Sequence, residues 1–236
     1  MSTTLSSEVS THPGTVRPRN EDNYVDRPDI GLWAVADGAG GHGAGDVASA
    51  AVAEALRDLP AGLSAAEMLA QVRLRMTAVN TDLQARAAAA GPGRIMATTV
   101  VALLARGGHY ACLWAGDSRA YLLRGGALAR VTRDHSVVQE MVEAGLIDDG
   151  DAESHPQANV ITRAVGAAGE LELDKVSSRI APGDVFLLCS DGLFKALAES
   201  EIAALLAGGG GPDALIEAAL ANAARDNVTA LVVRAG

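Results

Sequence analysis

The stretch GLWAVADGAGGH, residues 31–42, decides the fold. Its first six residues form a short, mostly apolar run, and Asp37 and a glycine-rich turn follow at once. A run of this length between turn signals is typical of a buried strand. The arrangement recurs along the chain: Asp117 follows YACLWAG, Asp191 follows VFLLCS, and Asp226 stands just before VTALVV. The sequence therefore predicts, four times, a carboxylate at one end of a buried strand.

Two interpretations of these four aspartates are open. Aspartate is common in turns at strand ends, so each residue could simply form its turn. If the strand ends converge instead, the like charges repel one another unless a cation neutralises them. Ligand sets made of oxygen alone select hard ions, which favours Mg²⁺ or Mn²⁺. Zinc is disfavoured, because Cys112 and Cys189 lie in apolar runs and form no ligand-spaced cluster with histidine.

The remaining pattern predicts antiparallel sheets covered by helices. Two long stretches, 44–59 and 65–89, have apolar residues at the helical period, and a Ser64–Glu67 capping box opens the second. Shorter helices are predicted at 136–144, 200–207 and 213–224. Strands are predicted at 31–36, 98–105, 109–115, 119–124, 127–131, 185–190 and 228–233. Many adjacent strands with two long helices inserted between them indicate an α+β fold.

Length and composition indicate a single domain over residues 1–236. The chain is 49% hydrophobic and 20% charged, which excludes a globally disordered protein. The longest apolar run, around Val100 to Ala105, is far shorter than the ~20 residues that a bilayer requires. The first ten residues show no secretory signal, and the two cysteines indicate reduced core thiols. We therefore expect a soluble cytoplasmic protein that does not contact a membrane.

The charge balance argues against a nucleic-acid partner. The net charge is −10, with 19 lysines and arginines against 29 acids, and aromatic residues make up 3% of the chain. Non-specific nucleic-acid binding depends on clustered cations, and base stacking depends on aromatic side chains. The sequence offers neither feature. The position of the acidic residues at the strand ends is therefore more informative than their number.

A series of motifs carries a family resemblance through nearly the whole chain. In order they are Gly14-x-x-Arg17 with Asn20-Glu21-Asp22, VADGAGGH at 35–42, MATTVV at 96–101, AGDSRAYLLR at 115–124, TRDHSVVQEMVEAG at 132–145, HPQANVITRAVG at 155–166, LLCSDGLF at 187–194 and RDNVTALVV at 225–233. With these motifs the chain resembles the metal-dependent Ser/Thr protein phosphatases of the protein phosphatase 2C family, bacterial branch. The resemblance implies a four-layer αββα sandwich, in which two antiparallel sheets pack face to face and are flanked by helices.

The resemblance also implies two bound ions, Mn²⁺ or Mg²⁺, at one end between the sheets. Asp37 would bridge the two ions, and the backbone carbonyl of Gly38 would bind one of them. Asp191 and Asp226 would hold the other ion. Two such ions can activate a water and clamp phosphate oxygens, so the reaction needs no nucleophilic side chain.

Three residues of the opening motif would complete this site. Glu21 or Asp22 would act on the metal directly or through metal-bound water. Arg17 resembles the arginine with which the family binds the substrate phosphate. A planar, permanently charged guanidinium suits that role, because it can form two parallel hydrogen bonds to a phosphate.

Whether a third ion binds is left open. Asp117 resembles the ligand that bacterial members use together with Asp191 for a third metal. Four positions after Asp191, where many bacterial relatives have an acidic residue, this chain has Lys195. Its ammonium could occupy the space of the third ion, or it could point into solvent while that ion binds normally.

Other polar residues have competing interpretations. His42 could serve as a general acid, but it stands in the glycine-rich turn, three residues beyond the position that directly follows Asp-Gly. Ser190 has no base placed for it and is interpreted as structural rather than nucleophilic. The polar segment 146–165 resembles the flap beside the family's active site, which is expected to move and to influence substrate choice.

The leading functional hypothesis is hydrolysis of phosphoserine and phosphothreonine on proteins by a monomeric enzyme, which reverses the action of a cognate Ser/Thr kinase. An alternative within the fold is a phosphatase dedicated to one regulatory protein, such as an anti-sigma-factor antagonist. An inactive phosphate-binding scaffold is the alternative of another class, and the presence of Arg17 and the metal-binding aspartates argues against it. The strings HPGTVRPRNED at 12–22 and SDGLFK at 190–195 also resemble phosphatases that oppose the kinase of type VI secretion.

Overall fold

The structure is a computed structural model that describes residues 4–40 and 44–236. Its strands are β1 (Leu5–His12), β2 (Asp22–Arg27), β3 (Leu32–Ala39), β4 (Ala97–Thr98), β5 (Val100–Arg106), β6 (His109–Ala115), β7 (Arg119–Arg124), β8 (Ala127–Arg130), β9 (Asp174–Arg179), β10 (Val185–Cys189) and β11 (Val228–Ala235). Its α-helices are α1 (Ala44–Arg57), α2 (Ala65–Ala90), α3 (Val137–Glu143), α4 (Asp191–Phe194), α5 (Glu199–Ala207) and α6 (Pro212–Ala221). A 3₁₀ helix spans Asp149–Ser154.

The strands form two antiparallel sheets. The first sheet has the order β1-β11-β10-β7-β8, and the second has the order β2-β3-β5-β6-β9, with the short β4 paired to β3. Trp33 and Leu103 of the second sheet pack against Phe186 and Leu231 of the first in a core between the sheets. Helices α1 and α2 cover the outer face of the second sheet, and α4, α5 and α6 cover the outer face of the first. This is the four-layer αββα sandwich that the resemblance implied.

The central strands are apolar throughout because both of their faces are buried. In β3, Trp33 and Val35 point into the core between the sheets, whereas Leu32 and Ala34 pack under α1 and α2. Successive side chains of a strand alternate between faces, so burial of both faces removes the polar half of the usual pattern. The run GLWAVA is therefore the signature of a strand between two apolar layers.

Each predicted element is present, with its ends shifted by up to three residues, but the prediction for 98–105 was wrong in detail. The chain breaks at Thr99, which separates β4 from β5. Three strands were not predicted at all, namely β1, β2 and β9, and each lies at the edge of its sheet. Their sequences, LSSEVSTH, DNYVDR and DKVSSR, are polar because an edge strand is partly exposed to solvent.

Local signals in the sequence are confirmed at the helix ends and in the core. The Ser64 side chain accepts the Glu67 backbone N–H, and the Glu67 carboxylate accepts the Ser64 N–H, which completes the capping box of α2. Both cysteines are buried and free. Within the described part of the chain, no helix combines the length and the hydropathy needed to cross a membrane.

Candidate functional site

Asp37 lies near the end of β3, directly across the ladder from Asp22 of β2. Two threonines at the junction of β4 and β5 fix its backbone. The Asp37 N–H donates to Thr99 Oγ1 at 3.0 Å, and Thr98 Oγ1 donates to the Asp37 carbonyl at 2.8 Å. These bonds hold the strand end in place, so the Asp37 side chain projects from a rigid support.

Asp22 joins the two sheets. Its Oδ2 accepts hydrogen bonds from Ser190 Oγ, directly after β10, and from Thr229 Oγ1 of β11, each at 2.7 Å. The other oxygen, Oδ1, is buried and has no hydrogen-bond partner. A buried carboxylate oxygen without a donor is costly, so this atom fits a site that a cation or a cation-bound water would complete.

Gly38 lies in close backbone contact with the start of α1. A Cβ on Gly38 would come within 2.2 Å of the Gly45 carbonyl oxygen, and a Cβ on Gly45 would come within 2.6 Å of both the Gly38 carbonyl oxygen and Glu21 Oε2. Only glycine allows this approach, since any larger residue would displace backbone. The Gly38 carbonyl and the Glu21 carboxylate therefore both lie close to Gly45.

Asp191 and Asp226 each have a cation as a partner. Asp191 begins α4, and its Oδ2 accepts from Lys195 Nζ at 2.5 Å. Asp226 lies in the loop before β11, and both of its oxygens accept from Arg17, through Nε and Nη2, at 2.8 Å. The interpretation in which Lys195 points into solvent is therefore wrong, because its ammonium is turned toward the carboxylates.

Asp117 follows β6 in a tight turn. Gly116 has φ +111°, and a Cβ there would lie 2.6 Å from the side chain of Thr99. Asp117 itself is buried, and this burial, followed by the charge of Asp191, raises its pKa to about 7, while the ammonium of Lys195 acts in the opposite direction. The turn thus places the Asp117 carboxylate close to both Asp191 and Lys195.

The electrostatics of the five aspartates show that they converge. Burial raises the pKa of Asp37 well above its usual range, and the charges of Asp22, Asp191, Asp117 and Asp226 raise it further. Burial is also the largest cause that raises the pKa of Asp22 to about 7. Asp22, Asp37 and Asp117, whose ionisation is disfavoured, form an environment that a divalent cation stabilises. An oxygen-only donor set of this kind fits Mn²⁺ or Mg²⁺.

The carboxylates do not form a closed metal cage in this structure. Among residues 4–40 and 44–236, no three His, Cys, Asp or Glu side chains are grouped closely enough to hold one ion. The ion pairs of Asp191 with Lys195 and of Asp226 with Arg17 give the reason, because each directs carboxylate oxygens toward a side-chain cation. Both oxygens of Asp226 are therefore engaged by Arg17 in this structure.

Asn227 completes the site, and the sequence analysis missed its role. Its side-chain oxygen accepts the Glu21 N–H at 2.8 Å, and its amide donates to the carbonyls of Pro13 and Arg19. These three bonds hold the loop that carries Arg17 against Asn227, which directly follows Asp226. In the sequence, this role was indicated only by the position of Asn227 next to Asp226, a candidate metal ligand. Its hydrogen-bond partners lie more than 200 positions earlier in the chain.

Comparison with known proteins agrees with this geometry. The family model for protein phosphatase 2C matches residues 19–209.

The chain belongs to the protein phosphatase 2C family.

Curated relatives cover nearly the whole of this protein phosphatase 2C domain. The serine/threonine phosphatase stp of Listeria monocytogenes is 34% identical, over 97% of this chain and 95% of stp. The serine/threonine protein phosphatase PstP of Mycobacterium tuberculosis is 37% identical, over 93% of this chain and 43% of PstP. These relatives are serine/threonine phosphatases, and enzymes of the protein phosphatase 2C family depend on metal ions. The chain thus belongs to a family of phosphatases.

Solved structures share the fold of the protein phosphatase 2C domain. PppA, a key regulatory component of T6SS in Pseudomonas aeruginosa, is 44% identical, with a TM-score of 0.90 over 98% of both chains. The catalytic domain of PstP, solved in complex with two manganese ions, is 34% identical, with a TM-score of 0.84 over 99% of both chains. The similarity therefore extends to a structure whose metal ions are present.

The remaining candidate residues of this protein phosphatase 2C domain fall into three groups. Ser190 is fully buried and hydrogen-bonded to Asp22 and to the Thr229 N–H, which is a structural role and leaves it inaccessible as a nucleophile. His42 lies outside the described residues. Segment 146–165 lies at the edge of the site and includes the 3₁₀ helix. It pairs with the body of the domain through isolated β-bridges at Ile161 and Val165. We call this segment the flap.

Proposed function

We propose that this chain hydrolyses phosphoserine and phosphothreonine on proteins, with two divalent ions and a water nucleophile. The observation that supports this most strongly is the convergence of Asp37 with the carboxylates of Asp22, Asp117, Asp191 and Asp226 beside an arginine. No placed nucleophilic side chain accompanies these groups in the described residues, since Ser190 is buried. A cluster of carboxylates without a side-chain nucleophile favours metal-assisted hydrolysis over covalent catalysis.

The proposed ligands come from both sheets. Asp37, the Gly38 carbonyl, Asp191 and Asp226 would hold the two ions. Asp22 would contribute its unpartnered Oδ1, directly or through water, while Ser190 and Thr229 hold its Oδ2. When bound, Mn²⁺ or Mg²⁺ lowers the pKa of a coordinated water and neutralises charge on the phosphate.

Arg17 is proposed to bind the substrate phosphate. Its side chain is mostly exposed and lies at the mouth of the site, where it now neutralises Asp226. Once released from Asp226, the Arg17 guanidinium would donate two hydrogen bonds to phosphate oxygens, for which its planar fork is suited. Arg17 would thus exchange one anionic partner for another without leaving the site.

The physiological role that we propose is the reversal of a Ser/Thr kinase that regulates type VI secretion. The support is the 44% identity to PppA over nearly the full length of both chains. One chain supplies every residue of the proposed site, which supports a monomeric enzyme. A phosphoproteome comparison with and without the gene would test this role: phosphoproteins of the secretion system should accumulate on deletion, and an unchanged phosphorylation state would contradict it.

The catalytic proposal is tested by turnover of p-nitrophenyl phosphate and of peptides carrying phosphoserine, phosphothreonine or phosphotyrosine. We expect hydrolysis with Mn²⁺ or Mg²⁺, loss of hydrolysis on chelation, and recovery when metal is restored. Asp37→Asn should be inactive, and Asp82→Asn, at an exposed ion pair on α2, serves as the control. Phosphopeptide binding without turnover in the metal-loaded wild type would favour the inactive scaffold instead.

A further inference from the structure

Lys195 differs from the arginines of the chain in its side chain and in its position. Only two of the 19 lysines and arginines are lysines, Lys175 and Lys195. Lys195 follows α4, one helical turn after Asp191. Its Nζ lies 2.5 Å from Asp191 Oδ2 and 2.6 Å from Asn159 Oδ1, and its side chain is 28% exposed. One ammonium therefore joins a carboxylate of the proposed metal site to a residue of the flap.

Further carboxylates face this ammonium from neighbouring elements. The charges of Asp117, in the turn after β6, and of Glu153, in the 3₁₀ helix, both act on Lys195. These three residues line a cavity of about 180 Å³ beneath the flap. Asp117 and Asp191 are the pair that the family resemblance of the sequence associates with a third metal ion. The ammonium thus lies at the place where that ion would be expected.

Arg119 anchors the flap independently of the metal site. Its guanidinium donates to Asp134 at 2.6 Å and to Glu153 of the flap at 2.8 Å, and it lies 3.6 Å from the centre of the Phe194 ring. None of these three partners is a proposed metal ligand. Of Arg119 and Lys195, only Lys195 also contacts a proposed metal ligand.

We propose that Lys195 is a built-in cation that takes the place of a third metal ion beside Asp117 and Asp191 and holds the flap to the metal site through Asn159. The inference rests on the proposed phosphatase function. An ammonium has three donors, so it can satisfy Asp191 and Asn159 together. It engages only Oδ2 of Asp191, which leaves Oδ1 for an ion of the two-metal centre. Like-charge repulsion from Lys195 disfavours a further divalent ion beside it.

Lys195 is on this account a positioning residue, and two consequences follow. The chain should bind two ions rather than three at micromolar Mn²⁺. The flap should be held against the site without a third ion, because the contact between Lys195 and Asn159 does not depend on one.

Three variants separate these consequences. Lys195→Asp offers a carboxylate to a third ion, Lys195→Gln removes the charge at similar length, and Asn159→Ala cuts the flap contact while leaving the pair with Asp191. Lys175→Gln, on the edge strand β9, is the matched control for loss of a lysine. Mn²⁺ stoichiometry is measured by calorimetry on the full chain. Deuterium exchange of the flap amides is measured in metal-free and Mn²⁺-loaded protein.

Wild type and Lys175→Gln should bind two ions at micromolar Mn²⁺, whereas Lys195→Asp should bind a third. Lys195→Gln and Asn159→Ala should raise the exchange rates of residues 149–160 about ten-fold or more, since each loses a hydrogen bond to a charged group. Asn159→Ala should leave the stoichiometry at two. Lys175→Gln should leave both quantities unchanged.

A third ion bound by the wild type at micromolar Mn²⁺ would overturn the proposal. Unchanged flap exchange in both Lys195→Gln and Asn159→Ala would overturn it as well, and these two variants decide the matter if Lys195→Asp does not fold. Turnover of p-nitrophenyl phosphate by the wild type distinguishes this failure from that of the proposed function. A chain without Mn²⁺-dependent turnover refutes the phosphatase proposal, while flap exchange in the metal-free chain still tests the role of Lys195.

Discussion

The guanidinium of Arg17 lies against both carboxylate oxygens of Asp226, 2.8 Å from each. The two residues are 209 positions apart in the chain, and Asn227 holds them together by fixing the loop that carries Arg17. Arg17, the proposed phosphate-binding residue, and Asp226, a proposed metal ligand, are thus each other's partners in this structure. We expect a metal ion bound at Asp226 to release Arg17 for the substrate phosphate.

Arg17→Ala should lower kcat/KM about ten- to a hundred-fold, because the variant loses charge-assisted hydrogen bonds to the phosphate. The affinity for Mn²⁺ should stay constant or rise, since both oxygens of Asp226 become free. Steady-state kinetics and calorimetry measure the two quantities. Arg86→Ala removes an arginine from an ion pair of the same length on the surface of α2 and is the control. A loss of Mn²⁺ affinity in Arg17→Ala would mean that the residue supports the metal and not the phosphate.

Asp191→Asn should lose most of its activity and keep its fold. Changes to groups that merely orient metal ligands cost about 10–100-fold, so loss of a ligand charge should cost at least as much. Turnover at saturating Mn²⁺ and circular dichroism test the two statements, with Asp82→Asn as the control. Turnover like that of the wild type would remove Asp191 from the metal site.

Gly38→Ala should weaken metal binding and destabilise the fold. The added methyl group would overlap the Gly45 carbonyl oxygen, and overpacking of this kind costs about 1–3 kcal/mol. Gly150→Ala is the matched control, because a Cβ there has no atom within 4 Å. Thermal unfolding and Mn²⁺ titration of both variants should separate them. Equal behaviour would show that the contact between Gly38 and α1 is adaptable.

The metal-free chain should lose stability as the pH rises from 5.5 to 8. The pKa of Asp22 is raised to about 7 in the folded state, so its stabilising contribution is present at low pH and is lost as the pH rises through about 7. Saturating Mn²⁺ should therefore raise the Tm more at pH 8 than at pH 5.5. Scanning calorimetry with chelator or with Mn²⁺ measures both effects.

Asp22→Asn isolates this contribution from that of His135, which acts in the opposite direction. Burial lowers the pKa of His135, so its contribution to stability is lost as the pH falls. The metal-free variant should show a smaller loss of stability between pH 5.5 and 8 than the wild type. A pH dependence identical to that of the wild type would show that Asp22 does not carry the effect.

The sequence by itself determined the central strands and the position of the acids along them. In β3 and β10 both faces are buried, so the apolar runs are continuous and easily recognised, and Asp37 and Asp191 mark their ends. The position of Lys195 one turn beyond Asp191 was also readable, because a short helix brings residues four apart together. These features depend on neighbours within a few residues, and local periodicity records them.

Only the tertiary structure decided which groups meet across the sheets. Edge strand β2 has a polar sequence without an apolar run, yet it carries Asp22 to Ser190 and Thr229, which are 168 and 207 positions away. That contact depends on the distance and register at which two sheets pack. No local pattern contains this information, because side chains that interact across a core are chosen by the packing of whole layers. For the same physical reason the ion pair of Arg17 with Asp226 and the link from Lys195 to Asn159 are properties of the folded chain alone.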